Sequence, residues 1–289
     1  MEKGWIFYAL ITILLWSTTP AVVKLTLLTI NFSTFFFWTT LFSLLGLTLI
    51  ISIQGKLKFL RAYSIKEHLW LILLGALSMF FYSLFYFFAI NSGSAAQVNI
   101  LNYTWPIWLI AFSTIFLKEK MTVKKALSVL IGFIGVMIVI IGFDIKTFAS
   151  MNIVSIIFAL LGAISWALFS TLSKKKKFEA FSSMFYYSLY GLVMVIVYVS
   201  LKSDLVFPDF KGLIGTFYVG ALTTGLGYAL WIKTLTKANI SLVSNLVFLT
   251  PFLSLIWIWL FIHENIYFSQ IFGLVLIISS IMFQKGVKK

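Results

Sequence analysis

Residues 153–177 read IVSIIFALLGAISWALFSTLSKKKK. An uncharged apolar run, long enough for the ~20 residues that a bilayer crossing needs, ends abruptly in four lysines. The same design surrounds it. The chain has 289 residues, of which 61% are hydrophobic and 10% charged, with a mean hydropathy of +1.06. Soluble domains carry about 25% charged residues. In water this chain could not cover itself with polar surface, whereas lipid resolves the difficulty.

Apolar runs bounded by charge or turn residues predict ten spans, over 5–28, 32–53, 69–90, 95–117, 123–142, 153–172, 182–201, 211–235, 241–262 and 268–283. The Lys and Arg residues alternate with them. Eighteen of the 22 fall at the N-terminus, the C-terminus and every second link, including Lys56, Lys118 and Lys174. Cytoplasmic loops carry that excess, so both termini are expected in the cytoplasm and the chain in the cytoplasmic (inner) membrane. The net charge of +14 therefore reads as topology rather than as nucleic-acid binding. The first apolar run is too long for a signal-peptide core, so no cleaved leader is expected. Without cysteine there is no disulfide and no thiolate chemistry.

The quoted span has an echo. At an offset of 150, Ala9, Leu10, Trp16 and Lys24 match Ala159, Leu160, Trp166 and Lys174. At 145, Gly75-Ala76-Leu77 matches Gly220-Ala221-Leu222, and Val98, Leu101, Pro106 and Glu119 match Val243, Leu246, Pro251 and Glu264. Two halves, 1–143 and 151–289, then hold five spans each, and an odd number inserts them in opposite senses. The fold expected is an all-α membrane protein of ten transmembrane helices in two inverted five-helix repeats. That plan is common among secondary transporters, whose substrates bind near the bilayer midplane.

Polar and aromatic residues recur at spacings of three and four on several spans, which places each set on one helix face. Trp16, Tyr82, Asn102, Trp105, Trp166, Tyr228, Trp231 and Asn245 are the candidate substrate-binding residues, because lipid does not reward an amide or a phenol. Helix packing and interhelical hydrogen bonds are the competing roles. Pro106 and Pro251 each break a backbone hydrogen bond within a span, and are candidate hinges. Lys24 and Lys174 stand near span ends, where snorkelling is expected. Every acidic residue and both histidines lie in loops or at span ends. A midplane proton relay, a catalytic set, a metal site and a cofactor are therefore not expected, and the chain is read as no enzyme.

The segments LWSTTPAVVK (15–24), LNYTWP (101–106), GAISWALFSTLSK (162–174) and GYALW (227–231) resemble the drug/metabolite transporter superfamily, EamA type. Within it the chain is most similar to the YddG aromatic amino-acid exporters. The resemblance covers both halves. It implies a ten-helix fold with a central cavity between the halves, and export of amino acids or similar small metabolites. The cavity positions it implies are Trp16, Tyr82, Trp105 and Trp166. The reading is a monomeric exporter of neutral amino acids, aromatic ones included, with a small molecule and the lipid bilayer as its partners. The alternative is an exporter of drugs or aromatic cations, and the remote one a non-transport membrane enzyme or scaffold.

Overall fold

The computed structural model of the chain describes residues 4–57, 60, 63–92, 98, 101–141, 152–262 and 268–285. Among the described residues every regular element is a helix. Six helical stretches are long and apolar enough to cross a membrane. They are α1 (Gly4–Thr26), α2 (Phe32–Ile53), the stretch starting at α3 (Ile65–Gly75), α7 (Ile153–Lys176), α8 (Ala180–Lys202) and the stretch starting at α9 (Phe210–Phe217). The third continues through a π-helical segment, Ala76–Phe81, into α4 (Tyr82–Ser92). The sixth continues through another, Tyr218–Leu226, into α10 (Gly227–Lys237). Over the remaining expected spans the described residues form α5 (Trp105–Leu117), α6 (Val123–Ile141), α11 (Ile240–Val247), α12 (Leu249–Ile262) and α13 (Phe268–Lys285).

Local chemistry sets the boundaries. Asn31, Ser64, Glu179 and Asp209 each accept a backbone N–H at the start of α2, α3, α8 and α9, as N-caps do. Ser64 and Glu67 complete a capping box. Lys118, Lys177 and Ser203 turn the chain out of α5, α7 and α8 in the left-handed conformation. The expected fourth and ninth spans are both interrupted, at Tyr103–Thr104 and at Phe248, just before Pro106 and Pro251. A proline ring displaces the carbonyl four residues back and offers no N–H, so each helix restarts with the proline in its first turn.

The chain divides into two compact units, Met1–Ser83 with Lys176–Lys233, and Leu84–Lys175 with Thr234–Lys289. Each draws on both sequence halves. The first is built on the antiparallel pair α2 and α8, fastened at three levels. Asn31 at the start of α2 donates to the Asp204 carbonyl beyond α8, at 2.7 Å. Lys56 beyond α2 binds Glu179 at the start of α8, at 3.2 Å. Midway, the hydroxyls of Ser43 and Ser188 meet at 2.9 Å, and these two residues stand 145 apart in sequence. Glycines let the flanking helices close in. A Cβ on Gly75 would lie 2.9 Å from the Tyr187 carbonyl oxygen, and one on Gly220 would lie 2.4 Å from that of Thr39.

In the second unit α6 lies along α13. A Cβ on Gly132 would sit 2.9 Å from the Ser280 hydroxyl, and one on Gly135 would sit 2.8 Å from the Gly273 carbonyl oxygen. Small residues permit such approach between membrane helices, where dispersion and hydrogen bonds replace the hydrophobic effect.

Candidate functional site

Three expected site residues meet in the first unit. Trp16 on α1 faces Tyr228 edge-on, with ring centroids 5.8 Å apart and planes at 89°. Trp231 also stands beside it, with ring centroids 5.5 Å apart. The Trp16 indole N–H donates to the Thr223 carbonyl at 3.2 Å. Thr223 lies in the π-helical segment, where the i→i+5 pattern reshuffles backbone pairing and such segments often mark functional sites. Below and above Trp16 the seam is polar as well. Thr12 donates to the Gly227 carbonyl at 3.4 Å, and Thr18 shares a hydrogen bond with the Tyr218 hydroxyl at 2.8 Å. Gly227 keeps this approach close, since a Cβ there would stand 3.1 Å from the indole nitrogen.

The second unit holds Trp105 and Trp166 at 6.5 Å and 85°, with Phe169 at 5.1 Å from Trp166. Asn102 is buried at the turn before Pro106, and Asn245 is buried in α11. The Asn245 amide donates to the Ser128 hydroxyl at 3.2 Å and to the Ser280 carbonyl at 3.4 Å. Of the two roles open to it, the interhelical bond is the one observed. Gln97, Asn99, His263 and Glu264 lie outside the described residues.

Exposure sorts the candidates. Trp231, Trp166 and Trp105 are 0%, 3% and 4% exposed. Trp16, Tyr82 and Tyr228, all in the first unit, are half-buried. Among these six, only the second group leaves a substantial part of its side chain uncovered in this structure. An open edge-to-face aromatic pair offers a π face for an apolar ring and for an ammonium group.

The sequence reading missed several polar contacts. Lys174 was expected to snorkel; instead its ammonium turns inward to Glu119 at 2.9 Å and to the Ala238 carbonyl at 2.8 Å. Snorkelling is favoured when no partner is near, and here the partner lies 55 residues away in sequence. Beside the lysine-rich end of α3, Tyr190 hydrogen-bonds His68 at 2.7 Å, and Tyr63 and Tyr186 pack around the imidazole. Burial alone would push the Glu179 carboxyl up, but the Ser182 N–H and the Lys56 ammonium outweigh it and hold it below the usual carboxylate range.

The sequence profile of the EamA-like transporter family matches the chain twice, over residues 3–141 and 153–284. An "Uncharacterized transporter YoaV" of Bacillus subtilis is 25% identical over 238 residues, which is 80% of this chain and 79% of that one. A second Bacillus subtilis protein, "Uncharacterized transporter YyaM", is 29% identical, over 75% of this chain and 72% of its own. The "Aromatic amino acid exporter YddG" of Salmonella typhimurium is 25% identical, over 58% of this chain and 59% of that one. A solved crystal structure, 18% identical, matches 98% of both chains with a TM-score of 0.82, which places the two in one fold.

Proposed function

We propose, because this chain belongs to the EamA-like transporter family, that it is a secondary transporter exporting neutral amino acids, aromatic ones among them, by alternating access. The observation that carries the substrate class is the half-buried Trp16–Tyr228 pair. Its rings take an apolar or aromatic side chain and attract the ammonium group, while Tyr82 supplies a hydroxyl within the same unit. The similarity to an exporter named for aromatic amino acids points the same way.

Several observations support reading 1–143 and 151–289 as two inverted five-span repeats. The family profile matches twice. The π-helical segments end at Phe81 and Leu226, 145 residues apart like the Ser43–Ser188 pair. The span breaks before Pro106 and Pro251 fall at the same offset, and those prolines are our candidate hinges. The lysine bias supports the cytoplasmic membrane, with both termini inside. We read the protein as a monomer without cofactor, metal or catalytic activity.

The test is a substrate panel in proteoliposomes, with and without a pH gradient. Flux of neutral amino acids, competed by aromatic ones, is expected. Flux of aromatic cations alone selects the multidrug reading, which the same aromatic pair would serve.

A further inference from the structure

Of the lysines at 174–177, three are accounted for by the surface. Lys175 lies over the Phe116 ring at 5.9 Å and Lys176 over the Trp70 ring at 4.0 Å. Lys177 ends the helix in the left-handed conformation. Lys174 is different. Its side chain is 17% exposed, and its single ammonium ties together three segments of the second unit. These are the end of α7, the link from α5 to α6 through Glu119, and the link from α10 to α11 through the Ala238 carbonyl.

The pair is poorly built as a plain stabiliser. Glu119 is 23% exposed, and its second oxygen, Oε2, is buried without a hydrogen-bond partner among the described residues. Desolvation of such a pair offsets most of its attraction, unless the remaining lone pairs are also satisfied. The residue before it, Lys118, holds a positive φ of 56°, which costs a non-glycine residue energy. An ion pair of small net worth that costs much to leave half-broken suits a contact made in one state and released in another.

We propose that Lys174 and Glu119 are gating residues: their contact, with the Ala238 carbonyl, is a latch that holds the lysine-rich end of the second unit closed in the state seen here and parts when that end opens. This rests on the transport reading. The sequence repeats the two residue types, with Lys24 near the end of the first expected span and Glu264 after the ninth. Glu264→Gln removes the matching carboxylate outside the latch and serves as the control for general loosening.

The experiment reads accessibility and needs no substrate. The chain has no cysteine, so a single Ser173→Cys reports alone. Ser173 is buried, and its hydroxyl has no hydrogen-bond partner among the described residues. Labelling by a membrane-impermeant maleimide is measured from the lysine-rich side. It should rise on the order of tenfold in Glu119→Gln and in Lys174→Met, within the usual range of coupling between states. It should fall back in part in the charge-swapped Glu119→Lys/Lys174→Glu chain, which restores the ion pair but not the bond to the Ala238 carbonyl, and should not rise in Glu264→Gln. Unchanged labelling in Glu119→Gln and Lys174→Met overturns the latch. So does a rise in Glu264→Gln equal to theirs, which would mark general loosening. Thermal midpoints of all variants separate unfolding from opening. Failed amino-acid flux with the expected labelling would refute the substrate reading alone.

Discussion

Trp16 and Trp166 occupy matching places in the two halves, yet their surroundings ask for different experiments. Trp166 is 3% exposed and packed between Trp105 and Phe169. Cutting such a ring back to alanine costs about 3–5 kcal/mol, so Trp166→Ala should lower the thermal midpoint in detergent and reduce flux only in proportion to folded protein. Trp16 is half-buried. Trp16→Phe keeps an aromatic ring beside Tyr228 and removes the indole N–H from the Thr223 carbonyl. It should lose about 1 kcal/mol of stability while changing the ranking of amino acids in competition assays. An unchanged ranking would assign Trp16 to packing. Residue type and depth were legible in the sequence, because deep tryptophans and asparagines have few places to go in lipid. Which of them a ligand can reach was not, since periodicity gives a face and not what covers it. Lys174 shows the same limit: its charge was visible, while the partner that captures it is remote in sequence.

At the scale of elements, glycine contacts decide how close two helices lie. Gly220→Ala puts a methyl group 2.4 Å from the Thr39 carbonyl oxygen, a backbone atom that cannot rotate away. Overpacking of this kind costs about 1–3 kcal/mol, and the thermal midpoint should fall. Gly4→Ala, with nothing within 4 Å, should leave it unchanged or raise it, since alanine favours helix. The α2–α8 pair has a pH signature as well. Glu179 is held below its ordinary pKa in the folded protein, so its contribution is present above the unfolded value of about 4.3. It is lost as pH falls through the depressed folded value. Glu179→Gln should therefore be less stable than the parent at neutral pH and lose less on acidification below about pH 4, as a melting series over pH would show. Helix existence was legible here because lipid leaves the backbone no alternative that satisfies its hydrogen bonds. The π-helical segments were not, since they arise where one helix accommodates another.

For the whole molecule, the alternation of lysines with apolar runs is a statement about sidedness. Single cysteines introduced into the cysteine-free chain at Thr122 and at Ser203 should label from opposite faces of the membrane. Labelling of both from one face would break the orientation and the span count with it. The compact units cut across the halves of the sequence, each taking helices from both, and no run of hydropathy announces that division. It depends on which helices share a seam, and a contact such as Ser43 with Ser188 is local only in space. That contact carries a chemical rule of its own. A position that meets its own counterpart has to bear a group that is its own complement. A hydroxyl qualifies, because it can give a hydrogen and receive one. An ammonium facing an ammonium, or a carboxylate facing a carboxylate, would repel. On the repeat reading, the pair could therefore have been made by one residue duplicated with the rest of its half, and later drift at either position is confined to side chains that are ambidextrous in the same way.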